Sequence, residues 1–291
     1  MSNGPLQIKA ISGHAGTVPG RDTSRDYDVC KVVDVTTCIG CKACEVACLE
    51  WNGYPFRETF FDNTYQTMPD LAWNYYNLIR FNEHEFADGT FGWLMRKDQC
   101  MHCADPGCLR ACPADGAIVQ YTNGIVDFNS EQCIGCGYCM TGCPFDVPKL
   151  NPITKKVHKC TLCTDRVSVG LEPACIKACP TNCLSFGTRE DLLRKAETRV
   201  EALKEDGRAQ AGIYNPEGVG GTHVIYVLAQ ADQPEKYGLP KNPRIPWTVA
   251  VWKGPLKWAG NALLLGGILG AFLHYLRYGP KDSGKPADGI E

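Results

Sequence analysis

Only a few stretches of the chain alternate regularly between apolar and polar residues, and each predicts one short element. Apolar residues alternate through Tyr27–Val35, the pattern of a half-buried strand. Leu184–Gly187 reads as a second strand able to pair beside it. Between them, Gly116–Phe128 holds two β-prone runs around Asn123-Gly124, which predicts a hairpin with a tight turn. Residues 188–206 set Leu192, Leu193, Ala196, Val200 and Leu203 at helical spacing, with Thr188 as N-cap and the intervening charges as a solvated face. Gly218-Val219-Gly220-Gly221 lacks the lysine and hydroxyl of a phosphate-binding loop. It reads as a turn into an apolar strand, His223–Ala229.

Two stretches depart from this rhythm. Residues 54–95 form an insertion rich in aromatics (Tyr54, Phe56, Phe60, Phe61, Tyr65, Trp73, Tyr75, Tyr76), which fits an interface or cluster cover as well as it fits ordinary core. Between Lys257 and Arg277 there is no Asp, Glu, Lys or Arg. That run, Trp258–Leu276, spans roughly 28 Å as a helix, the thickness of a bilayer core. Trp247, Trp252 and Trp258 flank one end and Tyr275 and Tyr278 the other, as interfacial anchors do. Gly266, Gly267 and Gly270 offer a small-residue face for another helix, and Asn261 and His274 are polar residues suited to protein or headgroups. Lysines and arginines on both flanks leave the orientation open.

Cysteine changes the picture most. Of 18 cysteines in 291 residues, all but Cys30 and Cys183 fall into four blocks of four. The blocks are Cys38-Cys41-Cys44-Cys48, Cys100-Cys103-Cys108-Cys112, Cys133-Cys136-Cys139-Cys143 and Cys160-Cys163-Cys175-Cys179, and Pro113, Pro144 and Pro180 follow the last three. This is the ligand run of two-cluster ferredoxins, present twice, and it predicts four 4Fe-4S clusters. Three cysteines two residues apart wrap three corners of a cubane, and the fourth opens a helix that serves the other cluster. Zinc sites favour separated pairs, and a disulfide framework suits a small secreted domain, so neither fits this spacing. With every thiolate position filled, His102 and His158 are not needed as ligands, and Cys30 and Cys183 read as small buried hydrophobes.

Exchange of fourth cysteines pairs the blocks. The hairpin joins blocks two and three, so one cluster takes Cys100, Cys103, Cys108 and Cys143, and another takes Cys112, Cys133, Cys136 and Cys139. Blocks one and four then pair around them: Cys38, Cys41, Cys44 and Cys179 hold one cluster, and Cys48, Cys160, Cys163 and Cys175 the other. Sequential pairing of blocks is the alternative. The expected fold is α+β: two ferredoxin-like modules, one nested inside the other, plus a C-terminal transmembrane helix. Its parts are an irregular arm over 1–26, an outer module over 27–53 and 151–190, the insertion over 54–95 and an inner module over 96–150. An extension over 191–245, the helix over 246–280 and a tail over 281–291 complete it.

A net charge of −2, with no basic face, excludes a nucleic-acid partner. No acid/base or nucleophile pairing stands out, so no catalytic centre is expected on this chain. Lys42, Lys159 and Lys177 sit beside ligand positions, either as charges that raise cluster potentials or as surface charge and partner contacts.

With blocks and tail helix in hand, the chain resembles the iron–sulfur (beta) subunit of membrane-bound respiratory formate dehydrogenases. The resemblance rests on Cys38–Cys44, Arg96–Cys103, Cys133–Cys139, Lys159–Cys163, Tyr214–His223 and the Trp252-Lys253-Gly254 lead into the helix. It implies a heterotrimer that can assemble further. A catalytic alpha subunit with molybdenum or tungsten bis-pterin oxidises formate, and a cytochrome b gamma subunit in the lipid bilayer reduces quinone. This chain carries electrons between them. The outer module would face the catalytic subunit and the inner module the haem. The cluster-bearing part would be periplasmic, the C-terminus cytoplasmic, and the chain single-pass in the bacterial inner membrane. Residues 1–26 hold no apolar signal core and no twin-arginine pair, in keeping with export on a partner's signal. Other expectations from the same blocks are the equivalent wire of another molybdopterin oxidoreductase or a membrane hydrogenase, or a zinc-binding membrane-tethered scaffold.

Overall fold

Burial on both faces of one small sheet organises the larger part of the chain. The computed structural model describes residues 8–11, 28–56, 64–86 and 89–279, in two compact units that divide between Pro246 and Trp247. The first holds strands β1 (Ile8–Ile11), β2 (Val29–Asp34), β3 (Leu78–Glu85), β4 (Phe91–Asp98), β5 (Ile118–Tyr121), β6 (Val126–Phe128), β7 (Lys149–Leu150), β8 (Val157–His158), β9 (Leu184–Thr188), β10 (Gly212–Tyr214) and β11 (Val224–Leu228). Its helices are α1 (Ala43–Trp51), α2 (Gly107–Ala111), α3 (Tyr138–Gly142), α4 (Thr164–Ser168), α5 (Ala174–Lys177) and α6 (Arg189–Glu205). The second holds α7 (Trp247–Val251) and α8 (Lys257–Tyr278).

The main sheet has the order β10-β11-β2-β9. β11 runs parallel to β2, and β9 and β10 run antiparallel to their neighbours. Residues of β2 alternate between two cores. Cys30 and Val32 face α6 through Leu192, Ala196, Val200 and Leu203, while Val29 and Val33 face the core beneath the cysteine loops. The Thr188 hydroxyl accepts the Asp191 N–H at 3.2 Å and caps α6.

Three boundaries differ from expectation, each for a physical reason. Val224–Leu228 has no charged residue and is buried throughout, which only an interior strand permits. Two strands of the 191–245 extension, β10 and β11, are therefore built into the main sheet. The arm over 1–26 contains a strand, since β1 pairs antiparallel with β5 and satisfies its open edge. The rest of the arm, Tyr27, Phe60, Phe61 and the 281–291 tail lie outside the described residues. The insertion is largely the β3–β4 hairpin, which runs to Asp98 and so crosses the expected 95/96 border. Asp98 draws it there: its carboxylate accepts from Arg80 at 2.8 Å and from Arg96 at 2.9 Å. Burial opposes the Asp98 charge, but the two guanidinium groups outweigh it and hold the carboxyl below its usual range. The aromatics serve two roles: Tyr75 is core, with Leu71 and Leu78, while Phe56 and Tyr65 are exposed.

In the second unit, Gly254 leaves helical geometry (φ −100°, ψ −106°) just before Pro255. The break divides the expected helix over 246–280: α8 beyond it covers 22 residues, about 33 Å. Its Leu, Ile and Phe side chains are exposed along its length, and it is long and apolar enough to cross a membrane.

Replacing Leu203 by Ala, which is 2% exposed, should destabilise the α6–sheet contact by about 2–5 kcal/mol. Faster hydrogen exchange of α6 amides, with the β3–β4 amides unchanged, is the expected readout.

Candidate metal centres

Each cysteine block is a tight loop that runs into a short helix. Left-handed residues at the helix starts (Lys42, φ 60°; Gly137, φ 76°; Cys163, φ 49°) turn the loops inward. α1 from block one packs on α5 from block four, and α2 from block two packs on α3 from block three. The second contact needs glycine. A Cβ on Gly107 would lie 2.2 Å from the Gly142 carbonyl oxygen.

The thiols gather in four sets. Cys38, Cys41, Cys44 and Cys179 line one small cavity. Burial and then the neighbouring thiols of Cys160, Cys175 and Cys163 push Cys48 well above an ordinary thiol. Burial followed by Cys100, Cys108 and Cys143 does the same to Cys103. Burial followed by Cys112, Cys133 and Cys136 pushes Cys139 up to about 12. Adjacent sets also act on one another electrostatically. Cys44 feels Cys175, Cys160 feels Cys100, and Cys108 feels Cys139. Cys41 and Cys136, in the two end sets, are exposed.

This arrangement fits cubane clusters. Crowded buried thiols favour protonation unless positive charge sits among them, and iron supplies it. Backbone N–H groups aim at sulfur: Gly135 donates to Cys133 Sγ and Leu162 to Cys160 Sγ, both at 3.4 Å. Two buried side-chain nitrogens in block two have no partner: Gln99 Nε2 and His102 Nε2. His102 Nδ1 accepts the Val126 N–H at 3.1 Å, so the neutral ring carries its proton on Nε2. Buried donors of this kind call for acceptors, and cluster sulfur is one.

Comparison with known proteins gives the same chemistry. Residues 37–117 and 91–189 each match a family model described as a 4Fe-4S dicluster domain. Residues 245–286 match one described as formate dehydrogenase N, transmembrane. The iron–sulfur subunit of the nitrate-inducible formate dehydrogenase of Escherichia coli is 56% identical over 94% of this chain and 93% of its own length. The chain belongs to the formate dehydrogenase iron–sulfur subunits. The formate dehydrogenase iron–sulfur subunit of Haemophilus influenzae is 51% identical over 94% of this chain and 88% of its own length. A formate dehydrogenase beta subunit of Nitratidesulfovibrio vulgaris is 33% identical over 68% of this chain and 92% of its own length. An iron–sulfur subunit of this family is a non-catalytic, electron-transfer part of its complex. The overlapping windows of the two dicluster matches cut across the expected modules and speak for cluster chemistry alone.

Several residues of this iron–sulfur subunit escaped the sequence reading. Of the three lysines expected beside ligands, Lys42 donates to the Tyr65 carbonyl and lies 5.5 Å from the Phe81 ring centre. Lys159 is buried and donates to the Val126 and Cys160 carbonyls, and Lys177 is exposed. Lys31 and Lys97, not singled out beforehand, are buried beside thiols: Lys31 Nζ lies 3.1 Å from Cys175 Sγ, and Lys97 lines the cavity of Cys38, Cys41, Cys44 and Cys179. Burial opposes charge on Lys97, but Cys175, Cys44, Cys160 and Cys48 outweigh it and hold it above an ordinary lysine. The signal for Lys31 was a lysine inside the apolar run Val29–Val33, on the strand face opposite Cys30. Glu45, 2% exposed, accepts from Thr67, Tyr75 and the Ile79 N–H and fixes α1 against the insertion. Cys30 is core, as expected. Cys183 is buried too, but it lines the same small cavity as Cys38, and the two thiols act on each other so that Cys38 is lowered and Cys183 raised.

Gly107→Ala should force α2 from α3. The expected outcome is loss of about eight irons, two cubanes' worth, by iron and sulfide analysis of the purified protein.

Proposed function

We propose that this subunit carries four 4Fe-4S clusters in a row and relays single electrons from formate oxidation to a membrane cytochrome b. The observation that carries this reading is the packing of the four cysteine blocks in pairs, α1 on α5 and α2 on α3, with electrostatic coupling from one thiol set to the next at Cys44/Cys175, Cys160/Cys100 and Cys108/Cys139. The sixteen ligands are those of the nested scheme, with Cys179 completing Cys38, Cys41 and Cys44, and Cys48 completing Cys160, Cys163 and Cys175. Cys143 completes Cys100, Cys103 and Cys108, and Cys112 completes Cys133, Cys136 and Cys139. The α1–α5 and α2–α3 contacts support that pairing over a sequential one, as does the β2–β9 ladder of the outer module.

When bound, the clusters supply one-electron carriage. The chain holds them rigidly, excludes water with the Leu71, Tyr75 and Leu78 core, and offsets their charge with buried lysines. The outer module is the end for a molybdenum or tungsten bis-pterin subunit, and the inner module the end for the cytochrome. The Trp247–Tyr278 segment anchors the chain once through the bilayer, with the cluster-bearing part periplasmic. The match over 245–286 favours that anchor.

Two measurements test this. Anaerobically purified complex should contain about sixteen iron and sixteen sulfide on this subunit, and substantial zinc in their place would overturn the reading. Cys143→Ser should alter the EPR signal that Cys108→Ser alters, and leave the one that Cys163→Ser alters; grouping with Cys163 instead would favour sequential pairing.

A further inference from the structure

Lys31 and Lys97 meet in the interior at one neutral acceptor. Their exposures are 0% and 2%. Lys31 Nζ donates to Gln99 Oε1 at 2.8 Å, and Lys97 Nζ donates to the same oxygen. Among the described residues no carboxylate pairs with either lysine. Two ammonium groups held this close repel each other and resist desolvation, so an anion must face them. Lys31 Nζ lies 3.1 Å from Cys175 Sγ, and Lys97 lines the small cavity of Cys38, Cys41, Cys44 and Cys179. The two cations therefore stand where the outer module's thiol sets join.

Gln99 sharpens the point. Its oxygen must face the two donors, because an amide nitrogen accepts nothing. Its NH2 group is then turned away, buried and without a partner, next in the chain to Cys100. A glutamate here would neutralise one of the two charges. Glutamine leaves both undiminished.

We propose that Lys31, Lys97 and Gln99 form a buried cationic node that raises the reduction potential of the cluster held by Cys48, Cys160, Cys163 and Cys175. The proposal rests on the four-cluster reading. An added electron makes a cluster more negative, and a fixed cation at a ligand sulfur favours that state. No bond forms or breaks at the node: one electron arrives, one leaves, and no proton follows. The three side chains are positioning residues that act through the cluster. The node ties β2, the end of β4 and α5 together, so a purely structural role must be separated from an electrostatic one.

An EPR-monitored redox titration of the intact complex, with iron analysis, makes the separation. Gln99→Glu keeps an acceptor for both lysines, so iron should stay at the wild-type level. The reduction equilibrium of that cluster should fall at least tenfold, about 59 mV for one electron. Lys31→Met should shift it the same way, and Lys31→Arg should restore it. Full iron with unshifted potentials in Gln99→Glu would overturn the node. If the wild-type complex itself gave no cubane signals, the four-cluster reading would fail instead.

Discussion

Thiolates crowded in a protein interior repel one another, and burial opposes each of their charges. Cys48, Cys103, Cys108, Cys139 and Cys163 feel both effects and are pushed upward first by burial and then by sulfur neighbours, whereas Lys31 and Lys97 outweigh burial at Cys175 and hold it down. The fold answers with positive charge. Lys31, Lys97 and Lys159 are buried among the sulfurs, and backbone N–H groups aim at sulfur from the tight loops. Carboxylates are kept to other duties: Asp98 clamps two arginines, and Glu45 fixes α1 to the insertion. Lysine charge is thereby left free to face sulfur.

The same constraint accounts for the architecture around the loops. Short helices that begin from left-handed residues are poor folding units on their own. They are held by scaffolds that contain no cysteine ligands: the β10-β11-β2-β9 sheet with α6 behind it, and the β3–β4 hairpin. β2 mediates between the two, with Cys30 and Val32 packed on α6 and Val29, Lys31 and Val33 turned to the sulfur side. One strand thus supplies a dry backing on one face and a buried charge on the other.

Membership of the formate dehydrogenase iron–sulfur subunits explains why such a scaffold ends in a separate apolar helix. That helix matches the family's transmembrane model over 245–286 and is long and apolar enough to cross a membrane, with the Gly254 and Pro255 break preceding the helix proper.

Much was legible in the sequence alone. Cysteine spacing announced iron–sulfur chemistry, because a cubane demands thiolates at short fixed intervals. The uncharged run before Arg277 announced α8, because length and polarity suffice to define a span. Thr188 and the Leu192–Leu203 spacing announced α6 by local capping and periodicity. Other features depended on contacts between distant segments. β11 belongs inside the sheet of β2, β1 lies on β5, and Cys183 reaches Cys38. Lys31 and Lys97 share the Gln99 oxygen across 68 residues of chain. Local pattern is written in residues a few positions apart, whereas the burial of a charge depends on everything that closes around it, and only the folded chain brings those parts together.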